Sequence, residues 1–260
     1  MPVMHQRPLS PFGLEVTGLD TSKLVPSAFA SLALLIARAR VVVFRNQFAG
    51  DARLVKFLQG LGTLTFTAGE TPVEDAPDLN VVSNVGRTQP ARSVFHTDTS
   101  YVLRPPAFTA LSPVILPPEG GDTLFSDQVR AAAALPKKTR EFLTGRDVLH
   151  QASGLAGQGG AVRQPLLRRH VLTGETALYL STPERCSAIS GVDAKNSQRI
   201  IAALYRHSTK ASKLYRHQWQ PGDLLIWDNR VAMHRADHGN SLQERVLHRG
   251  MVLGEVPVFA

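Results

Sequence analysis

The feature that most constrains the fold is a succession of short apolar or alternating runs, separated by Pro and Gly, from residue 79 onward. Each run has the length of a strand rather than of a helix. Many short strands bury their apolar faces only when two sheets pack together or one sheet closes, so the pattern predicts a β-sandwich or barrel. The predicted strands cover Leu79–Val85, Ala107–Leu116, Asp122–Ser126, Asp147–His150, Thr176–Leu180, Asp223–Trp227 and Arg245–Leu253.

Helical periodicity occurs in fewer places. Phe29, Leu32 and Ile36 recur at helical spacing and predict an amphipathic helix, which the β-branched run Val41–Phe44 follows as a strand. Asp51 is predicted to be the N-cap of the next helix. Further helices are predicted over Asp51–Leu61, Gln128–Leu143 and Ala194–His207. The predicted fold class is therefore mainly β with flanking helices, an α+β arrangement.

The length of 260 residues suits one large sheet-based domain. The sequence has no internal repeat and no linker long enough to separate two domains, so a single domain over residues 1–260 is expected. The low-complexity patch Gly154–Gly160 predicts a mobile surface loop, which we place over residues 153–163.

The charge balance suggests an anionic partner. The chain has 29 Lys and Arg against 21 Asp and Glu, a net charge of +8, which leaves nucleic acid, an anionic membrane or an anionic small molecule open. Aromatic residues make up only 7% of the chain, and no basic run exceeds Leu167–His170. These two observations disfavour nucleic acid, which aromatic stacking and clustered basic residues would bind.

The sequence has no signal segment and no apolar stretch of membrane-spanning length. Cys186 is the single cysteine and cannot form an internal disulfide. We therefore expect a cytoplasmic protein with no membrane partner.

Two histidines and an aspartate form a candidate metal site. His96 and Asp98 would point to the same face if they lie on a strand, although the pair could also be a surface histidine beside a turn aspartate. His234 comes at the end of an apolar strand. Two His and one carboxylate are the facial triad of non-haem Fe(II) oxygenases. A structural zinc site would need four protein ligands, preferably thiolates, which this chain cannot supply.

The predicted last long strand combines arginines with apolar residues on one face. Alternation puts Arg245 and Arg249 on the same face, roughly 13 Å apart, together with leucine and methionine. Guanidinium groups among apolar residues need anions, so this face is predicted to look into a pocket that receives carboxylates. The alternative leaves both arginines solvated and places Val246 and Val252 inside.

Several motifs, in order and spacing, resemble the taurine and 2,4-dichlorophenoxyacetate dioxygenase family (TauD/TfdA) over nearly the whole chain. That family consists of Fe(II)- and 2-oxoglutarate-dependent enzymes, so the resemblance implies a double-stranded β-helix (jelly roll, cupin-like), with Fe(II) as cofactor and 2-oxoglutarate and O2 as cosubstrates. The motifs are Leu14–Asp20, Val42–Gln47, Phe95–Asp98, Arg104–Pro106, Leu116–Thr123, Pro221–Asp223, Trp227–Arg230 and Leu247–Arg249.

The resemblance also implies roles for individual residues. His96, Asp98 and His234 would ligate Fe(II), with no further catalytic residue beyond the iron centre. Thr123 and Arg245 would bind the distal carboxylate of 2-oxoglutarate. Arg249 would bind the acidic group of the primary substrate, and Trp227, Asp228 and Asn229 would support the last ligand.

The implied reaction hydroxylates or oxidatively cleaves a small anionic organic molecule while 2-oxoglutarate becomes succinate and CO2. The substrate classes left open are carboxylates, sulfonates, sulfate esters and amino acids. The alternative function is a catalytically silent jelly-roll protein that binds a ligand or a metal. The resemblance further implies a homodimer or homotetramer.

The chain departs from the taurine enzyme around the substrate pocket. No histidine precedes the metal ligands between residues 51 and 95, and Arg92 stands where that enzyme has asparagine, so taurine itself is not expected to be the substrate. Arg92 and Tyr101 are candidate substrate contacts.

Residues 153–163 fall where relatives carry part of the active-site cover and are predicted to be a lid loop. The remaining histidines that we assign to surface or packing roles are His150, His170, His207, His217 and His238.

Overall fold

The structure is a computed structural model that describes residues 4–48, 50–86, 93–152, 160–238 and 243–260. The strands are β1 (His5–Pro8), β2 (Leu14–Thr17), β3 (Val41–Phe44), β4 (Leu64–Thr65), β5 (Pro72–Val73), β6 (Ala76–Ser83), β7 (Pro106–Ile115), β8 (Asp122–Asp127), β9 (Asp147–Gln151), β10 (Ala161–Pro165), β11 (Leu167–Arg169), β12 (Thr176–Leu178), β13 (Cys186–Ile189), β14 (Leu214–His217), β15 (Leu224–Asp228), β16 (Ala232–Asp237), β17 (Val246–Leu253) and β18 (Val258–Phe259). The α-helices are α1 (Phe29–Ala39), α2 (Asp51–Leu61), α3 (Gln128–Ala133), α4 (Lys137–Leu143) and α5 (Ala194–Ser208).

Two sheets pack face to face around the core. Among the described residues, one sheet follows the order β1-β2-β3-β15-β7-β17-β6-β5, with β4 paired to β17, and the facing sheet follows the order β14-β8-β16. Phe125 of β8 meets Trp227 of β15 with ring centroids 5.4 Å apart, and buried Leu111, Leu225 and Leu247 complete the layer between the sheets. This arrangement confirms the predicted mainly β fold of the jelly-roll type.

Helices α1 and α2 cover the outer face of the large sheet. Ile36 of α1 and Leu58 of α2 are fully buried and pack in one cluster with Val42, Ile226 and Val252 of the sheet. The central strands of the large sheet are therefore buried on both faces. This explains why Val252 is inside although Arg249 of β17 faces the other way.

Two smaller sheets complete the β structure of the described residues, with the orders β10-β9-β13 and β12-β11-β18. Ile201 and Leu204 of α5 pack with Val148 of β9 and Ile189 of β13 in a separate buried cluster. None of the helices in the described ranges is both long and apolar enough to cross a membrane.

Two helix predictions need correction. The bounds of α2 match the prediction, but Gly50 is its N-cap, and Asp51 is its first residue and pairs with His248. The helix predicted over Gln128–Leu143 is two helices, because Pro136 lacks the backbone N–H that a continuous helix would need.

The two metal-ligand segments also differ from their predicted form. His96 makes a single β-bridge with His234, and Asp98 begins a turn, so these residues are not part of a regular strand. The apolar strand β15 ends at Asp228, and His234 lies in the separate strand β16 after a turn.

In the predicted lid loop, residues 153–159 lie outside the described part of the chain, and residues 161–163 belong to β10, which pairs with β9. A lid role stays a prediction.

Candidate active site

The three candidate metal ligands converge on one point at the facing sheet, which contains β16. Ligand atoms of His96, Asp98 and His234 all lie within 4.8 Å of one another. Nε2 of His96 is 3.5 Å from Oδ1 of Asp98, and Nε2 of His234 is 3.8 Å from the same oxygen. The side chain of His96 is 29% exposed, whereas Asp98 and His234 are buried. The cluster is therefore open to solvent on the side of His96.

Backbone pairing holds the two histidines side by side. The amide of His96 donates to the carbonyl of His234 at 2.9 Å, and the amide of His234 donates back at 3.0 Å. Nδ1 of His96 lies 3.0 Å from the carbonyl oxygen of Val94, which can only accept, so Nδ1 carries the ring proton. The lone pair of His96 is then on Nε2, the nitrogen that faces Asp98.

Asp98 is positioned through both its backbone and its carboxylate. The Asn229 side chain accepts from the amide of Asp98 at 3.0 Å and donates to its carbonyl at 3.2 Å and to that of Pro106 at 3.1 Å. Thr109 of β7 donates its hydroxyl to Oδ2 of Asp98 at 3.0 Å. Oδ1 is thereby left facing the histidines. The sequence gives no signal for Thr109, because its relation to Asp98 depends on the packing of β7.

The protonation states of these groups suit a divalent metal. Burial lowers the pKa of His234 to about 3, so its imidazole is neutral at pH 7. Burial opposes ionisation of the Asp98 carboxyl, but its pKa is lowered overall, in part by the positive charge of Arg249. Two imidazoles and a carboxylate are a donor set that fits Fe(II) and leaves room for other ligands. His96, Asp98 and His234 would hold the metal.

Arg245 lies immediately before β17 and reaches into the core toward β8. Its guanidinium donates from Nε to the carbonyl of Gly121 at 2.8 Å and from Nη2 to the hydroxyl of Thr123 at 3.2 Å. Trp219 donates to the same hydroxyl at 3.1 Å, and its ring lies 5.9 Å from the guanidinium. Arg245 is 3% exposed, and no carboxylate of the described residues forms an ion pair with it.

An unpaired buried guanidinium is costly, and its pKa reflects that cost. Burial lowers the pKa of Arg245 to about 10, although the nearby Asp122 charge opposes the shift. Gly121, with φ of +73°, allows the close approach, because a Cβ there would lie 3.1 Å from Cδ of Arg245 and 2.8 Å from Pro117. Thr123 and Arg245 therefore form a candidate anion site.

Arg249 lies within β17, four residues after Arg245, and faces the metal cluster. Its Nη1 is 3.6 Å from Oδ1 of Asp98, and its Nη2 donates to the carboxylate of Glu70. Tyr101 is buried nearby, and burial raises the pKa of its hydroxyl, with a smaller contribution from Glu70. The inward direction of both arginines agrees with the strand periodicity. Glu70 was not foreseen, and Arg92 lies outside the described residues.

Of the three predicted supporting residues, Trp227 packs against the last ligand, whereas Asn229 holds the backbone of Asp98. Trp227 is fully buried, with its ring centroid 4.4 Å from that of His234. Asp228 accepts hydrogen bonds from Arg230 at 2.6 and 2.8 Å and from His170 at 2.9 Å. His170 is therefore a packing residue with a specific buried partner, which sequence spacing did not reveal.

Three other histidines have packing roles. His150 is buried and lies 2.9 Å from the hydroxyl of Ser100, and His217 is buried 3.1 Å from Asp223. His207 is partly buried beside the carbonyl of Ala131. None of these three is among the ligand atoms of the metal cluster, which agrees with the prediction from sequence.

Comparisons with known proteins agree with this site. The chain is 28% identical over 285 residues to an alpha-ketoglutarate-dependent 2,4-dichlorophenoxyacetate dioxygenase of Cupriavidus pinatubonensis, covering 96% of this chain and 98% of that protein. It is 32% identical over 248 residues to an alpha-ketoglutarate-dependent sulfonate dioxygenase of Saccharomyces cerevisiae, covering 86% of this chain but only 60% of that protein.

A solved structure and a family model extend the likeness to the whole chain. The crystal structure of a taurine dioxygenase from Burkholderia xenovorans superposes with a TM-score of 0.87 at 31% identity and covers 99% of this chain and 93% of that one. The model of the taurine catabolism dioxygenase TauD, TfdA family matches residues 5–251. The chain belongs to the TauD/TfdA family.

Proposed function

We propose that the protein is an Fe(II)- and 2-oxoglutarate-dependent dioxygenase that hydroxylates, or oxidatively cleaves, a small anionic organic substrate. The observation that carries the proposal is that one structure holds both a His-Asp-His cluster and the buried Arg245, which lacks a carboxylate partner among the described residues. A candidate metal site and a buried guanidinium in the same jelly roll suit a cosubstrate that chelates metal at one end and carries a carboxylate at the other.

Fe(II) bound with 2-oxoglutarate would supply O2 activation, with one oxygen atom entering the product and the other entering succinate as CO2 leaves. Three protein ligands leave the remaining positions for cosubstrate and O2. His96, fixed by the Val94 carbonyl, and Asp98, fixed by Thr109, would present their donor atoms without rearrangement. Preorganised ligands of this kind raise metal affinity.

The two arginines would divide the binding of cosubstrate and substrate. Arg245 and Thr123 would hold the distal carboxylate of 2-oxoglutarate by charge-assisted hydrogen bonds. Arg249, which contacts Asp98, would place the acidic group of the substrate next to the metal. Tyr101 and Arg92 are further candidate substrate contacts.

The relatives support catalysis over a silent ligand-binding role, since those compared above carry the names of dioxygenases that act on a sulfonate and on 2,4-dichlorophenoxyacetate. For this chain we propose that the substrate is a carboxylate, sulfonate, sulfate ester or amino acid.

A cytoplasmic location and a homodimer or homotetramer stay predictions. Light scattering after size-exclusion chromatography tests the assembly.

The test measures succinate from 2-oxoglutarate with the purified protein, Fe(II), ascorbate and O2, with and without members of these substrate classes. We expect Fe(II)-dependent succinate formation that rises with a substrate and is abolished in His96→Ala. The variant Arg216→Gln, at an exposed pair with Asp122 on the neighbouring strands, should retain activity. Succinate formation that is absent, or that His96→Ala leaves unchanged, would contradict the proposal.

A further inference from the structure

The substrate-side arginine is already paired with a carboxylate that is not a metal ligand. Arg249 is 11% exposed, its Nη1 lies 3.6 Å from Asp98, and its Nη2 donates to Glu70. Its Nε is buried and has no hydrogen-bond partner in the described ranges. Once a metal engages Asp98, Glu70 is the carboxylate that balances the charge of Arg249.

Glu70 reaches this position from the segment between β4 and β5. Gly69, with φ of +81°, turns the chain there, and the amide of Glu70 donates to the carbonyl of Thr67 at 3.3 Å. The Glu70 side chain is 31% exposed, similar to His96. The pair of Glu70 and Arg249 thus lies between solvent and the metal cluster, where a substrate must bind.

A substrate with only a negative charge fits this pair poorly. If its acidic group bound Arg249, two anions would share one guanidinium, and Glu70 would repel the substrate or have to move away. A substrate that also carries an ammonium group removes the conflict, because the ammonium can donate to Glu70. Glu70 and Arg249 touch, so the two charged groups of the substrate must be only a few bonds apart.

We propose that Glu70 is a specificity-determining residue that, together with Arg249, selects a zwitterionic substrate of the α-amino acid class. The acidic group binds Arg249 and the ammonium binds Glu70, which leaves the side chain of the amino acid to extend toward the metal. This inference rests on the proposed function and narrows its substrate class.

The test compares matched pairs of ligands that differ only by the amino group: L-norvaline and pentanoate, L-norleucine and hexanoate, and L-phenylalanine and 3-phenylpropanoate. Calorimetry measures their dissociation constants on protein loaded with Mn(II) and N-oxalylglycine, an unreactive analogue of 2-oxoglutarate. The variants are Glu70→Gln and, as a matched control, Glu74→Gln, which removes the same charge at an exposed position of the nearby turn between β5 and β6.

We expect the amino acid of at least one pair to bind about tenfold tighter than its deamino partner, since a charged hydrogen bond is worth roughly that factor. Glu70→Gln should abolish the preference, whereas Glu74→Gln should keep it. Circular dichroism and N-oxalylglycine binding establish that each variant is folded.

Three results would overturn the inference: equal or tighter binding of the deamino acids to the wild type, an unchanged preference in Glu70→Gln, or no binding of any of these ligands to protein that does bind N-oxalylglycine. Tighter binding of the deamino acids in Glu70→Gln with no effect on the amino acids would identify Glu70 as a displaced competitor instead. Failure to bind Mn(II) and N-oxalylglycine at all would count against the proposed function itself.

Discussion

The hydroxyl of Thr109 donates to Oδ2 of Asp98 at 3.0 Å, while Oδ1 of the same carboxylate faces His96 and His234. Thr109 lies on β7 of the large sheet, whereas His234 lies on β16 of the facing sheet and His96 is bridged to His234. One hydrogen bond therefore ties the candidate metal ligand to the opposite wall of the jelly roll.

Replacing Thr109 by valine keeps the shape and removes this hydrogen bond. We expect the dissociation constant for Mn(II), measured by calorimetry without cosubstrate, to rise about tenfold, as for other residues that orient metal ligands. Thr109→Ser retains a hydroxyl and should bind nearly as well as the wild type. Unchanged affinity in Thr109→Val would show that the carboxylate does not need this orientation.

Replacing Arg245 by glutamine should weaken the anion site. We expect N-oxalylglycine to bind roughly 30-fold or more weakly to the Mn(II)-loaded variant, because a charge-assisted contact is lost. Binding of Mn(II) alone should be unaffected. Arg216→Gln, which removes an equal charge from an exposed position of β14, is the control, and an equal loss there would point to long-range attraction rather than to direct binding.

Replacing Asp228 by asparagine should destabilise the fold. Asp228 is fully buried between Arg230 and His170, and breaking a buried charge pair costs about 3–5 kcal/mol. The free energy of unfolding from urea titrations measures the loss. Glu141→Gln, at an exposed helical pair with Lys137, should change it by less than about 0.5 kcal/mol. Similar effects of the two substitutions would disprove the importance of the buried network.

Stability of the metal-free protein should fall with acidification below pH 6.5. Burial lowers the pKa of His150 to about 3, with a smaller contribution from the charge of Arg185, whereas the unfolded value is 6.5. The unfolded chain therefore takes up a proton that the folded chain does not, so the free energy of unfolding decreases as pH falls from 6.5 toward 3. Each such histidine contributes up to about 1.4 kcal/mol per pH unit.

The measurement is urea unfolding at several pH values between 6.5 and 4.5. Burial also lowers the pKa of His217 and His234, so the slope should decrease but not vanish in His150→Gln. His5→Gln lies on the exposed strand β1 and should keep the wild-type slope. A slope in His150→Gln equal to that of the wild type would show that His150 does not stay neutral in the folded protein.

Much of the architecture was predictable from local pattern. Short apolar runs between Pro and Gly predicted strands such as β7, β15 and β17 but missed β10, β13, β14 and β16, and α2 has the predicted bounds. The break between α3 and α4 could also have been predicted, since Pro136 interrupts the helical pattern. The capping role of Asp51 could not, because a residue at the start of a helix can be its cap or its first residue, and contact with His248 favours the latter.

For the candidate site too, the sequence predicted some features and the tertiary structure decided the others. Period two over Arg245–Leu253 predicted that Arg245 and Arg249 share one inward face, and the resemblance to the family indicated the three ligands. Only the tertiary structure decided which groups surround them: Thr109 on Asp98, Asn229 on the Asp98 backbone, and Glu70 on Arg249. Alternation along a strand determines the direction of a side chain, because it follows from backbone geometry. The partner that the side chain meets depends on how distant segments pack, and no local pattern encodes that.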